Sequence, residues 1–270
     1  MMKGPYEVRP GLTLPDGDIL YPDPAIFDTT LAMLDFGDTW AGAGKVEGYA
    51  ANDRIRNICY VDDFAYPNLP MPFDGNGIQF AEHNGSKITL PDSFIIPAGC
   101  QVQLVRLWVK FATSDVGETV ARYNNQVVVI GETYASAKAL TYISANNTET
   151  GEISNFPVGA WGAVWDTGKA FAAAKTGDVV QLAWLATKID AEYATLRTFV
   201  NGRYAGDFLP AKYSARPADI LIHQINNKGA SENTVRCTVY RLAIDDLTDS
   251  TLTAEDIVAR DFAENNGRFS

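Results

Sequence analysis

The stretch Leu196-Arg-Thr-Phe-Val200 runs straight into Asn201-Gly202, and this junction decides how the chain is read. Asn-Gly accepts the positive φ angles of a two-residue hairpin turn, so two strands should meet there. Before it lies the apolar, strand-like run 181–187; after it come Ile220-Leu-Ile-His-Gln-Ile225 and residues 235–244. One short amphipathic helix is expected over 253–262. Thr253 is placed to cap it, and Glu255 and Asp256 complement its dipole. Ala254, Ile257, Val258 and Phe262 share one face. Asn265-Asn266-Gly267 supplies its stop. Strand, hairpin, strand, strand, terminal helix is the order of a β-sandwich with a helical tail.

Further upstream the period stays near two. Residues 101–111 put Val105, Leu107, Val109 and Phe111 on one face. Val102, Leu104 and Trp108 lie on the other with Arg106 and Lys110, which suits an antiparallel sheet. Ile78-Gln-Phe80, Lys87-Ile-Thr-Leu90, Val127-Val-Val-Ile130 and residues 140–144 are shorter strands. Gly177-Asp178 is a turn, and Asn265-Asn266-Gly267 is read only as a stop. Residues 25–36 partly fit helical spacing through Ile26, Phe27, Leu31 and Leu34. Pro5, Pro10, Pro15, Pro22 and Pro24 break helices and sheet interiors, so the N-terminal part reads as an extended arm. Pro67, Pro70, Pro72 and Asp74-Gly-Asn-Gly77 mark a boundary. The expected division is a proline-rich arm over 1–74 and an all-β, two-layer antiparallel sandwich over 75–270.

With 270 residues, 46% hydrophobic and 20% charged, the chain can bury a large core. No apolar run approaches the ~20 residues of a membrane helix, so no membrane insertion is expected. The first residues show no apolar leader core and no small-residue cleavage site, so export by a signal peptide is not expected either. The net charge of −11 repels phosphate backbones and argues against nucleic acid. Cys59, Cys100 and Cys237 are far apart and odd in number, which suits reduced thiols made in a cytoplasm.

Several short motifs in this order resemble the concanavalin A-like lectin/glucanase superfamily, and within it the laminin-G-like jelly rolls. They are Gly77-Ile-Gln-Phe80 with Ile88-Thr-Leu90, Leu107-Trp-Val-Lys110, Thr198-Phe-Val-Asn-Gly202, and Val239-Tyr-Arg-Leu-Ala-Ile-Asp-Asp-Leu247 with Leu252-Thr-Ala-Glu-Asp-Ile257. The resemblance covers about residues 75–265. It implies a jelly roll with a short terminal helix. Stand-alone domains of this class without signal peptides resemble bacteriophage virion proteins, and an arm on a compact domain fits subunits that lace together. That step is analogy between folds.

The glucanase branch needs Glu-x-Asp-x-x-Glu on a strand, so that two carboxylates flank one bond. This chain lacks it. His83 and His223 are its only histidines, and neither has the setting of a triad. No G-x-S-x-G occurs. Ala41-Gly-Ala-Gly-Lys45 fails as a phosphate loop, with Thr39 and Val46 at the positions that need Gly and Ser/Thr. Laminin-G-like domains often hold calcium at a sandwich edge, so the resemblance offers Asp207, Asp245, Asp246 and Asp249 as oxygen ligands for Ca²⁺. An ordinary polar loop before a helix is the favoured reading of the same residues. Sugar stacking would use Trp161, Trp165, Tyr204 and Tyr213, with Asn201 as a polar neighbour. Use of those rings in the core or a subunit contact is favoured over stacking.

The resulting expectation is a non-enzymatic virion-type structural or appendage protein: a phage tail, fibre or capsid-decoration component, made in a bacterial cytoplasm. Its partners would be other virion subunits or further copies of itself, with host-surface carbohydrate as a second target. No cofactor is required. A free carbohydrate-binding, lectin-like module is the first alternative, and a polysaccharide-degrading glycoside hydrolase the second.

Overall fold

Asn201 and Gly202 both carry positive φ, 49° and 75°, as a two-residue turn between twisted strands demands. In the computed structural model this turn joins β14 (Tyr193–Val200) to β15 (Arg203–Lys212), with Val200 opposite Arg203. The structure describes residues 23–38, 41, 47–60, 62–80, 85–112, 127–130, 146–147, 153–154, 158–160, 163–165, 167, 170–171, 173–213, 220–225 and 236–269.

Among these residues the main sheet has seven strands. They run β1 (Thr30–Asp35), β17 (Cys237–Asp246), β7 (Val102–Phe111), β13 (Val179–Lys188), β14 and β15, with β4 (Ile78–Phe80) also on β17. A second sheet has six: β2 (Ile55–Arg56), β3 (Phe64–Pro67), β5 (Ile88–Thr89), β16 (Ile220–Ile225) and β6 (Ile95–Ile96), with β8 (Val128–Ile130) on β16. Two small pairs stand apart: β9 (Asn146–Asn147) with β10 (Ile153–Ser154), and β11 (Val158–Ala160) with β12 (Ala163–Trp165). All these pairings are antiparallel. The all-β sandwich read from the sequence is therefore the observed fold class.

Strand alternation explains where the core sits. Val105, Leu107, Val109 and Phe111 of β7 are buried between the sheets with Leu182, Trp184, Leu242 and Ile244. Ile88, Ile96 and Ile225 meet them from the second sheet. Each such side chain contributes roughly 1.5–3 kcal/mol by leaving water. The other face of β7 is covered as well. Leu104 packs with Phe27, Phe199, Ala254, Ile257 and Val258, and Trp108 with Tyr240 and Phe269. The cover is α1 (Ala254–Asn265) and the chain just before β1.

The helix forms where its sequence signals place it. The Thr253 hydroxyl accepts from the Asp256 amide, and Asp256 returns the bond, closing a capping box. The helix runs to Asn265, beyond the expected Phe262, and Gly267 follows with φ +87°.

Residues 25–36 depart from the helical expectation. They hold β1, because its backbone pairs with β17 while Ala32 and Leu34 join the core and Met33 the opposite face. Partners over 200 positions away, invisible in a local window, set this strand. Within the segment assigned to an arm up to residue 74, β1, β2 and β3 are sheet strands, so these parts of it belong to the sandwich. Residues 1–22, the expected strand at 140–144, and His83 lie outside the described residues.

Candidate functional site

Sheet register builds a polar row on the helix-facing side of the main sheet. Arg241 stands opposite Trp108, and Trp108 opposite Gln181. The helix lays Asp261 over all three. Trp108 Nε1 donates to Asp261 Oδ2 at 3.0 Å, Gln181 Nε2 to the same oxygen at 2.7 Å, and Arg241 Nη1 to Oδ1 at 3.2 Å. One row further, Arg106 donates to Asp245 from Nε at 2.8 Å and Nη2 at 3.0 Å. Arg241 also bonds Asp35 through Nε at 2.7 Å and Asp23 through Nη2 at 2.6 Å. Burial works against the charge of both guanidiniums, but these carboxylates outweigh it and push both arginines above their ordinary range.

Gln181 carries this order to the hairpin. Its backbone nitrogen donates to Asn201 Oδ1 at 2.9 Å, and its side-chain Oε1 accepts from Gly202 N at 2.8 Å. Its Nε2 also donates to Val258 O of the helix at 3.1 Å. One side chain thus pins the Asn201-Gly202 turn to α1. Phe262 lies parallel to Trp108, with centroids 5.8 Å apart, and Phe269 meets the indole edge-on at 5.3 Å.

Where helix cover ends, the sheet end opens into a recess of about 510 Å³. Trp108 and Phe269, both buried, lie beneath it, and Asn201, Asn266, Lys110 and Asp178 form its polar walls. Asn266, Lys110 and Asp178 are exposed. Among the described residues, no side-chain hydrogen bond or ion pair ties up these three groups. With Nδ2 of Asn201, the walls offer amide, ammonium and carboxylate groups that can donate to and accept from hydroxyls. Two of these four groups come from turns that a local reading assigns only to chain reversal: Gly177-Asp178 and Asn265-Asn266-Gly267.

A second recess of about 400 Å³ adjoins the first, sharing Lys110 and Gly177 in its lining. Gln79, Thr238, Arg236 and Asp74 line it further along the sheet end. Asp74 is fixed by accepting from the Asn76 and Gly77 amides, at 3.0 and 2.7 Å. Cys237 also lines it, and burial pushes its thiol up, so it is a neutral wall and no nucleophile.

The residues singled out from sequence fall in different places. Asn201 lines the first recess. Tyr204 is 55% exposed on β15, beside Phe199 and with the Arg197 guanidinium 5.7 Å from its ring centre. Arg197 bonds Asp207 at 2.8 Å and Glu255 at 2.6 Å, and these partners raise its pKa. Trp165 and Tyr213 are buried instead. Trp165 Nε1 donates to Leu209 O at 3.0 Å, and Tyr213 Oη to Asp190 O at 2.6 Å. Neither offers a ring face to a ligand, because the core has taken it. Trp161 lies outside the described residues.

The four aspartates offered for calcium are not brought together. Asp245 is fully buried and consumed by Arg106 and by the Thr30 hydroxyl at 2.6 Å. Asp246 accepts from Thr248 N at 2.9 Å, Asp249 is exposed, and Asp207 is on β15 with Arg197. Among the described residues no group of three or more His, Cys, Asp or Glu side chains is placed to hold a metal ion.

No protein-family model matches the chain, and no curated protein matches its sequence. Solved structures do match. Trypanosoma rangeli sialidase superposes with a TM-score of 0.55 at 14% identity, over 92% of this chain and 34% of that one. Domain 4 of AbnA, a GH43 extracellular arabinanase from Geobacillus stearothermophilus in complex with arabinotriose, gives 0.45 at 17%, over 87% and 98%. Alginate lyase Aly36B gives 0.45 at 8%, over 81% and 95%. This chain spans about a third of the sialidase's length. At such identity the sialidase likeness establishes the shared fold. It also corrects the expectation that the chain is not an enzyme. That expectation rested on the sandwich class and a missing glucanase motif, and the same fold is found within a sialidase, so neither ground excludes an enzyme.

Proposed function

We propose that this chain binds carbohydrate in the recess at the end of its main sheet. The observation that carries this reading is the recess itself: about 510 Å³, walled by Asn201, Asn266, Lys110 and Asp178. A volume of this order suits a small ligand such as a sugar. Hydroxyl groups need donors and acceptors close together, and the polar walls supply both. The likeness to glycan-processing structures favours a glycan over other polyhydroxylated ligands. No comparison links the chain to a phage particle, and the recess does not call for one.

The test is affinity electrophoresis of the full chain through gels holding arabinan, xylan, mixed-linkage β-glucan, mannan or alginate. Retardation by at least one polymer is expected. Lys110→Ala and Asp178→Ala each remove a charged hydrogen-bonding partner worth about 1.5–3 kcal/mol, and so should weaken binding roughly tenfold or more. Tyr204→Ala should leave it unchanged, because Tyr204 is outside the recess. Unretarded migration in every gel would sink the proposal, and loss on Tyr204→Ala alone would move the site to β15.

A further inference from the structure

The two recesses share a wall, and this has a consequence for ligand size. Asn201 marks the β14 end of the first, Lys110 and Gly177 the junction, and Gln79 on β4 the end of the second. Between them the sheet runs β14, β13, β7, β17, β4. Four spacings of ~4.8 Å give a trough of roughly 19 Å across the strand ends. That is too long for one sugar ring and fits several in a row.

Charge narrows the class. Lys110 and Arg236 line the trough, and so do Asp74 and Asp178, so two cations against two carboxylates give a formal sum of zero. The chain around it carries −11. A polyanion would approach an acidic protein and find no excess positive charge to hold it. Uncharged hydroxyls find amides, a threonine and charges of both signs along the whole length.

Resting on the carbohydrate reading above, we propose that the joined recesses form one groove for an internal stretch of an uncharged polysaccharide. Lys110 would sit at the middle of the bound segment. Gln79 and Arg236 would touch only the sugars in the second recess. Both are exposed in the fold, so replacing them tests contact and not folding.

The experiment is titration calorimetry of the full chain with oligosaccharides of one to six residues, cut from whichever neutral polymer retards it. Affinity is expected to rise about tenfold or more from the disaccharide to the hexasaccharide. The double variant Gln79→Ala/Arg236→Ala should lose most of that gain while binding the disaccharide as before. A monosaccharide that binds as tightly as the hexasaccharide would overturn the groove and leave the single-recess reading standing. Alginate binding as tightly as the best neutral polymer would overturn the assignment to uncharged chains. Failure of every polymer and oligosaccharide to bind would remove the carbohydrate reading, and the groove with it.

Discussion

Trp108 and Asp261 are 153 positions apart in sequence, yet the indole Nε1 donates to the Asp261 carboxylate at 3.0 Å. This bond joins the indole beneath the recess to the buried charge layer under the helix. The same carboxylate accepts from Gln181 and Arg241. Asp261→Ala should therefore destabilise the fold by about 3–5 kcal/mol, as expected when one partner of a buried ion pair is removed. Urea unfolding measures this directly; a loss under 1 kcal/mol would mean the layer can repack.

Arg106 makes a sharper case for pairing over charge as such. Arg106→Met strands the buried Asp245 and should also cost about 3–5 kcal/mol. The double variant Arg106→Met/Asp245→Leu removes both charges and should recover much of that loss. A double variant no more stable than the single one would show that Thr30, which donates to Asp245, depends on the carboxylate more than the arginine does.

Gly202 meets two constraints at once. Its φ is +75°, and a Cβ there would stand 2.9 Å from Phe262 Cβ. Gly202→Ala should cost roughly 1–3 kcal/mol through backbone strain and displacement of Phe262. Because Phe262 stacks on Trp108, tryptophan fluorescence should shift in the folded variant as well. An unshifted spectrum with unchanged stability would contradict the close contact.

Alkaline pH should weaken the fold. Burial pushes the Cys59 thiol from 9.0 to about 12, with Asp245 adding to the rise, and Cys100 likewise to about 12, with Asp246 adding. Burial also takes Tyr49 from 10.0 to about 12. The unfolded chain releases these protons near 9 to 10, while the folded chain holds them until about 12. The folded state thus binds more protons in that window, so stability falls as pH rises through it. The loss should be roughly 1 kcal/mol per thiol for each pH unit above 9. Urea midpoints at pH 8, 9 and 10 check this; a flat series would refute it. The same burial should keep all three cysteines unreactive to thiol reagents until unfolding.

Much of the sandwich was legible because its signals are local. The alternation of Val105, Leu107 and Val109, the Asn201-Gly202 turn and the Thr253 cap each work within a few residues. β1 was not legible as a strand, since its partner in β17 is far off in sequence and a few apolar spacings imitate a helix. The site shows the same limit. Arg106 and Lys110 occupy one face of β7 and look alike in sequence. Arg106 is under the helix, fully buried against Asp245, while Lys110 is exposed beyond the helix end, in the wall of the recess. Only the place where α1 stops separates the buried arginine from the exposed lysine.

The pairing of β1 with β17 also bears on how the molecule is made. Thr30 meets Asp245 across 215 positions, and β17 sits between β1 and β7 in the sheet order. During synthesis β1 and β7 both wait, unpaired on that side, until β17 has cleared the ribosome. Contacts this distant slow folding, because loop closure must precede any gain from pairing. Stop codons that delete β17 or α1 should therefore give aggregates and not smaller folded domains.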